Sequence, residues 1–152
     1  MKTELLRVIK NLGEEDHFQI IAFSSHVRCA FPKLVAASKD NKKAAERFVA
    51  SLKALGGTAL WDALEQALGF AGVRGADAGR DADTIFLLTD GEPTAGAIVE
   101  PGPILQAVND LNQALRVQVH TIFVGPEDSA GAQLLTELAR ENRGEYRRAA
   151  DK

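Results

Sequence analysis

Apolar residues recur along this chain in two alternating patterns, one typical of helices and the other typical of buried strands. The first helical stripe has apolar residues at positions i, i+3, i+4 and i+7, namely Leu5, Val8, Ile9 and Leu12. This spacing places them on one face of a helix that ends at Gly13. The continuous apolar run over 18–23 predicts a buried strand instead, and a strand over 27–31, ended by Pro32, is its expected antiparallel partner.

The rest of the chain repeats this alternation. Helical stripes are predicted within 44–55, 60–71, 104–115 and 134–138. Strands are predicted at 84–89, 117–124 and 144–148. A loop rich in Gly, Ala and Asp covers 72–83. Strands that alternate with helices indicate an α/β fold with a parallel sheet, and connections this short predict one domain over 1–152.

Composition narrows the function further. The formal net charge of −3 gives no electrostatic basis for binding nucleic acid. Cys29 is the only cysteine, which excludes an intrachain disulfide and a cysteine-rich zinc site and favours a packed thiol. No apolar run is long enough for a transmembrane helix, and the first residues do not open a signal peptide. A cytoplasmic location follows only if Met1 is the true start, so the compartment stays open.

Two polar motifs that interrupt the apolar pattern contain the candidate ligand-binding residues. Asp90 and Gly91 directly follow the strand over 84–89, while Gly56-Gly57-Thr58 precedes a helix. Ligands of open α/β sheets bind at the carboxyl ends of the strands, where both motifs are expected. A hydroxyl and a carboxylate are partial ligands for a hard cation such as Mg²⁺. Structural roles are also expected, since Thr58 can cap the helix N-terminus in addition to binding a ligand, while stabilisation of the turn is the alternative role for Asp90.

Taken together, these motifs resemble the von Willebrand factor A-type (vWA) domain. The segments FQIIAFSS, HTIFVG and ELARENRGEYRRA are similar to its second strand, its fifth strand and its terminal helix and strand. The resemblance implies a Rossmann-like three-layer open sheet, mostly parallel with one antiparallel edge strand. It also implies a metal-ion-dependent adhesion site in which Thr58 ligates Mg²⁺ directly and Asp90 ligates it directly or through water. In that family an acidic side chain from a protein partner completes the coordination.

The chain departs from the family in one respect. The Asp-x-Ser-x-Ser motif, which ends the family's first strand, is absent, and the chain begins in what resembles the following helix. That strand is central in the family's sheet, so we expect a gap between the strands over 18–23 and 84–89 in an N-terminally truncated domain. Most of the coordination shell is then left to water, and Mg²⁺ binding is expected to be weak or absent. Unpaired strand edges predict possible self-association.

Two other functions compete with a metal-dependent protein-binding module. One is a metal-free scaffolding remnant of the same domain. The other is a phosphatase similar to the haloacid dehalogenases, with Asp90 as its nucleophile. That class needs a second acid two residues later, and Glu92 only approximates it. No nucleophile elbow, phosphate-binding loop or zinc-protease motif is present, so the sequence predicts a protein that is not an enzyme.

Overall fold

The computed structural model describes residues 1–54, 56–71 and 82–149, and the loop predicted over 72–83 lies almost wholly outside them. The helices in the described ranges are α1 (Lys2–Asn11), α2 (Lys39–Ser51), α3 (Leu60–Gly69), α4 (Pro101–Leu115) and α5 (Ala130–Glu141). The strands are β1 (His17–Phe18), β2 (Ile21–Phe23), β3 (Val27–Cys29), β4 (Val35–Ala36), β5 (Thr84–Thr89), β6 (Gln118–Phe123) and β7 (Tyr146–Arg148). No helix in the described part of the chain is long and apolar enough to cross a membrane.

The predicted α/β fold with a parallel sheet is confirmed. Strands β5, β6 and β7 form a parallel sheet in that order. Strands β2 and β3 pair antiparallel, as the apolar pattern predicts. Two helices begin at the serine N-caps that their sequences supply, since Ser38 accepts a hydrogen bond from Asn41 N and Ser129 accepts one from Ala132 N.

The prediction of one continuous strand over 18–23 is wrong. The run is divided into β1 and β2, because the side chain of Gln19 bonds to backbone groups between the two strands. Its Oε1 accepts hydrogen bonds from the backbone of Ile20 and Phe31, each at 3.0 Å, and its Nε2 donates to Phe31 O at 2.5 Å. Strand β1 then pairs with β4, a strand that the sequence did not reveal, and β3 ends at Cys29 rather than at Phe31.

The buried apolar residues in the described part of the chain form two separate cores. The larger one packs α3, α4 and α5 against one face of the parallel sheet, which contributes Ile85 and Leu87. The smaller one packs α1 and α2 against the region of β1 and β4. On the opposite face of the parallel sheet, Phe86 is 48% exposed and stacks on His120 with ring centroids 5.1 Å apart. This face belongs to neither core.

Strands β2 and β5 contribute to the same core, but they do not pair with each other. Helix α3 contacts β2, and Phe23 packs against the core that holds α3, Ile85 and Leu87. Strand β2 pairs with β3 alone and β5 with β6 alone among the described residues. The gap that the sequence leads us to expect between these two strands stays a prediction.

Buried amides fix the far end of the larger core. Asn112 and Asn142 are each 3% exposed. Asn112 donates to Val117 O and to Asn142 Oδ1 and accepts from Val117 N, all at 2.8 Å. Asn142 donates to Leu138 O at 2.9 Å, and its own carbonyl accepts from Val119 N. These bonds tie the ends of α4 and α5 to the start of β6.

Candidate functional site

The loop before α3 crosses the carboxyl edge from the end of β2 to the segment after β5. On the β2 side, Gly57 N donates to Ser25 Oγ at 2.8 Å and Ala59 N donates to Ser24 O at 2.7 Å. On the β5 side, Thr58 N donates to Thr94 Oγ1 at 2.8 Å, and Thr58 O accepts from Thr94 N at 3.1 Å. The loop is thus held on the β2 side through Gly57 and Ala59 and on the β5 side through the backbone of Thr58.

The predicted site residues converge at this edge. A Cβ added to Gly91 would lie 3.5 Å from Thr58 Oγ1, so the hydroxyl of Thr58 lies beside the residue that follows Asp90. Thr58 is half-buried and Asp90 is exposed. Their roles as metal ligands remain predictions.

The structural alternatives for these two residues are wrong. The N-cap of α3 is Ala59, without a side-chain cap bond, so Thr58 does not cap the helix. The turn after β5 is held by the hydroxyl of Thr89, which accepts from Gly91 N at 3.3 Å, and not by Asp90. Within the described residues, neither the Thr58 hydroxyl nor the Asp90 carboxylate forms a hydrogen bond or ion pair. Two oxygen-bearing groups are therefore available to a ligand.

Three further residues hold the loops at this edge by hydrogen bonds, a role that could not be predicted from the sequence. Ser25 and Thr94 hold the Thr58 loop through the bonds described above. Asp62 accepts a hydrogen bond from Ala97 N at 2.9 Å and faces Gly96, where a Cβ would come within 2.9 Å of its Oδ1. Gly96 has a φ of +97°, so only glycine fits there without strain. Nothing local in the sequence distinguishes Asp62 from other acids in a first helical turn.

The oxygen ligands that Thr58 and Asp90 offer are of the type that a hard cation prefers, but they are too few to fill its coordination shell. Hydroxyl and carboxylate oxygens match the preference of Mg²⁺, which keeps several waters when the protein supplies few ligands. The described residues contain no group of three or more His, Cys, Asp or Glu side chains that could hold a metal. Thr58 and Asp90 therefore fit as part of a cation site, with the larger share of the coordination left to water or to another molecule.

Sequence comparisons identify relatives over nearly the whole chain. A family model described as von Willebrand factor type A domain matches residues 1–148. Inter-alpha-trypsin inhibitor heavy chain H4 of Homo sapiens is 31% identical over 147 residues, which cover 95% of this chain and 15% of that protein. Von Willebrand factor A domain-containing protein 3A of Homo sapiens is 28% identical over 148 residues, which cover 96% of this chain and 11% of that protein. The chain thus spans a small part of the relatives that it matches.

Solved structures match the same arrangement. A von Willebrand factor type A protein from Catenulispora acidiphila superposes with a TM-score of 0.77 at 21% identity, covering 99% of this chain and 33% of that one. Proximal thread matrix protein 1 from the mussel byssus, described with a zinc-occupied metal-ion-dependent adhesion site, gives a TM-score of 0.65 at 19% identity. That match covers 99% of this chain and 36% of the mussel protein. At these identities the likeness shows the fold alone.

Proposed function

Because the chain belongs to the von Willebrand factor type A family, we propose that it is a protein-binding module whose contact surface is the carboxyl edge of the sheet. One observation carries this proposal. The hydroxyl of Thr58 lies beside Gly91, next to the exposed Asp90, and neither side chain has a partner within the described residues. A hydroxyl and an exposed carboxylate without protein partners can offer their oxygens to an external ligand.

The site is proposed to act with a divalent cation. Thr58 and Asp90 would hold Mg²⁺, which when bound supplies an electrophilic centre for a carboxylate of the partner protein. The chain's own residues prepare this contact, because Ser25 and Thr94 fix the Thr58 loop and Thr89 fixes the turn at Gly91. The zinc-occupied site named for the mussel protein supports a divalent cation in the family.

The affinity of the chain alone for Mg²⁺ is expected to be low. Among the described residues the proposed ligands are the two side chains Thr58 and Asp90, so the cation exchanges few of its waters on binding and gains little. The partner's carboxylate adds the ligand that makes the complex stable, which makes cation and partner binding mutually dependent. The proposed role is binding and not catalysis, and no observation at Asp90 favours the phosphatase.

A metal-free scaffold is the second candidate. The small donor set favours it, because Thr58 and Asp90 would leave most of a coordination shell to water. In that case the same edge would contact a partner through direct hydrogen bonds, which the Thr58 hydroxyl can donate or accept and the Asp90 carboxylate accepts. The two candidates differ in whether a chelator affects binding.

The proposal is tested by titrating Mg²⁺ into the protein while the backbone amide resonances of Thr58 and Gly91 are followed by NMR. We expect saturable shifts with a dissociation constant of about a millimolar or weaker, because water fills most of the coordination shell. The shifts should disappear in Thr58→Ala and Asp90→Ala. Glu92→Ala is the matched control, since it removes an exposed carboxylate two residues away, and it should leave the shifts intact.

Two outcomes would reject the cation site. The first is Mg²⁺ binding that persists in Asp90→Ala. The second is an absence of shifts at every Mg²⁺ concentration up to tens of millimolar, a range far beyond weak protein sites. A second arm adds a short aspartate-containing peptide with Mg²⁺ or with EDTA. Peptide binding that is equal in both would favour the metal-free scaffold.

A further inference from the structure

We propose that a polar groove at the carboxyl ends of α4 and α5 binds the oxyanion group of a small hydrophilic molecule. Arg116 directly precedes β6 and Arg143 precedes β7, so the groove lies at the amino ends of these strands. This edge of the sheet is opposite to the one that holds Thr58 and Asp90, and the inference does not require the cation site. The groove, called the arginine groove below, is lined by residues that include Arg116, Arg143, Gln113, Glu141, Asn112 and Asn142.

The two arginines have an unusual backbone conformation. They are the two non-glycine residues with a positive φ in the described part of the chain, and both have a φ of +58°. A side chain at such a φ strains the backbone, and glycine, asparagine and aspartate tolerate this conformation better than arginine does. The turns themselves therefore give no reason for arginine at either position. Residues in strained conformations cluster at binding sites, where the side chain is needed for a ligand.

A hydrogen bond brings these two residues together. Arg143 Nη1 donates to Arg116 O at 3.2 Å. The guanidinium of Arg143 therefore lies against the backbone from which the side chain of Arg116 starts, and both side chains line the same groove. Among the described residues, the guanidinium of Arg143 forms no other hydrogen bond and that of Arg116 forms none. Most of their N–H donors are thus available to a ligand.

The positive charges of these two residues are not neutralised by acids of the described chain. Residues 82–149 contain five arginines, and the other three each form an ion pair with a glutamate. Arg116 and Arg143 are exposed and form no ion pair within the described residues. Two neighbouring cations without a counter-charge create a positive potential that attracts anions.

The acids that line the arginine groove are already bound to other side chains. Glu141 accepts hydrogen bonds from the side-chain amide of Asn109 and from Arg140 Nη2. Asp110 Oδ1 accepts a hydrogen bond from Gln106 Nε2 at 2.9 Å. The groups that the groove offers to an anion are therefore the guanidinium groups, while its acids are occupied by their own partners.

The size and polarity of the groove define the class of ligand. Its volume is about 790 Å³, and all the residues that line it are polar or charged. Small-molecule sites measure about 300–1,000 Å³. Guanidinium groups bind the oxygens of phosphate and carboxylate groups in a bidentate manner. The side-chain amide of Gln113 has no partner within the described residues and can bond to a hydroxyl. The favoured ligand is thus a small polyhydroxylated molecule that carries a phosphate or a carboxylate.

Buried amides keep the arginine groove in shape without a ligand. Asn112 and Asn142 line the groove and are each 3% exposed. Asn112 bonds to the backbone of Val117, the residue after Arg116, and Asn142 directly precedes Arg143. Both arginines therefore follow or precede residues that are fixed in the core. A preformed site loses less conformational entropy on binding than a mobile one.

The test is a titration of the full chain with inorganic phosphate, followed by NMR at the arginine Nε–H resonances and at the backbone amides of Arg116 and Arg143. We expect saturable shifts at these two residues. Sodium chloride at the same ionic strength is the control, and it should produce no saturable shift, because screening by salt has no fixed stoichiometry.

Three related molecules then distinguish the two sources of the oxyanion. They are glycerol phosphate, glycerate and glycerol, which share hydroxyl groups and differ in their charged group. Glycerol phosphate and glycerate should bind at the two arginines, and glycerol should not. Tighter binding of glycerol phosphate would identify a phosphate ester as the ligand class, and tighter binding of glycerate would identify a carboxylate.

Two variants that retain the backbone conformation test the role of the side chains. Arg116→Gly and Arg143→Gly should fold, which a thermal melt by circular dichroism verifies, because glycine adopts a positive φ without strain. Each should weaken phosphate binding at least about tenfold, since a charge-assisted donor is lost. Arg147→Ala is the matched control. It removes the same charge from an exposed arginine that does not line the groove, and it should change the affinity less than about twofold.

Three results would overturn the inference. The first is an absence of saturable shifts with phosphate, glycerol phosphate and glycerate. The second is an equal loss of affinity in Arg147→Ala and Arg116→Gly, which would show that phosphate responds to the net charge alone. The third is phosphate binding that survives in the folded double variant Arg116→Gly, Arg143→Gly.

Discussion

Replacement of the buried Asn112 in the amphipathic helix α4 by alanine is expected to lower the stability of the protein strongly. Asn112 forms three hydrogen bonds of 2.8 Å, two with the backbone of Val117 and one with Asn142 Oδ1. Alanine would leave Val117 N, Val117 O and Asn142 Oδ1 without these partners. Val117 and Asn142 are 1% and 3% exposed, so water does not replace the bonds without opening the core.

The expected loss follows from these three groups. A buried donor or acceptor that loses its partner costs about 1–3 kcal/mol, so three of them predict a loss of about 3–5 kcal/mol after partial relaxation. The higher helix propensity of alanine offsets about 0.5 kcal/mol of this. For a domain of this size the net loss corresponds to a decrease in Tm of about 10 °C.

The assay is urea unfolding of the wild type, Asn112→Ala and Gln113→Ala, followed by circular dichroism. Gln113→Ala is the matched control, because Gln113 is the next residue of the same helix and is exposed. It should change the free energy of unfolding by less than about 0.5 kcal/mol. A loss below about 1 kcal/mol for Asn112→Ala would show that the three bonds contribute no more than ordinary surface contacts, which refutes the reasoning.

Two further predictions concern local backbone and thiol chemistry. Arg116 ends α4 with a φ of +58°, where glycine avoids the strain of a side chain, so Arg116→Gly should raise the free energy of unfolding by about 0.5–1 kcal/mol. Arg143→Gly, also at +58°, should gain less when both variants are compared by the same urea unfolding assay, because it loses the bond from Arg143 Nη1 to Arg116 O. Burial raises the pKa of the Cys29 thiol, so iodoacetamide should modify it more slowly in the native protein than in urea at the same pH. Equal modification rates in the native protein and in urea would contradict burial of the thiol. The stability that this pKa shift contributes is complete below the pKa of the unfolded thiol and is lost as the pH rises through the folded pKa.

Periodicity predicted the larger elements because their apolar stripes are long and unambiguous. The strand over 84–89 and the helices at both of its ends agree with β5, α3 and α4 within a few residues. The break at Gln19 was not predictable from apolar pattern, because it depends on a side-chain amide that reaches the backbone of Phe31, 12 residues away. Asn112 and Asn142 appear as polar residues on amphipathic helices, and only their contact across 30 residues shows that they are buried.

At the candidate site, too, the contacts between residues that are distant in sequence could not be predicted. Gly57, Thr58 and Asp90 were identified from motifs that lie next to element ends, where sequence position alone predicts convergence. Ser25 and Thr94, which hold the Thr58 loop, are short polar side chains in loops, and nothing in the sequence around them distinguishes them from solvent-exposed residues. Their bonds to the Thr58 loop span 32 and 36 residues, and such separations cannot be inferred from local pattern.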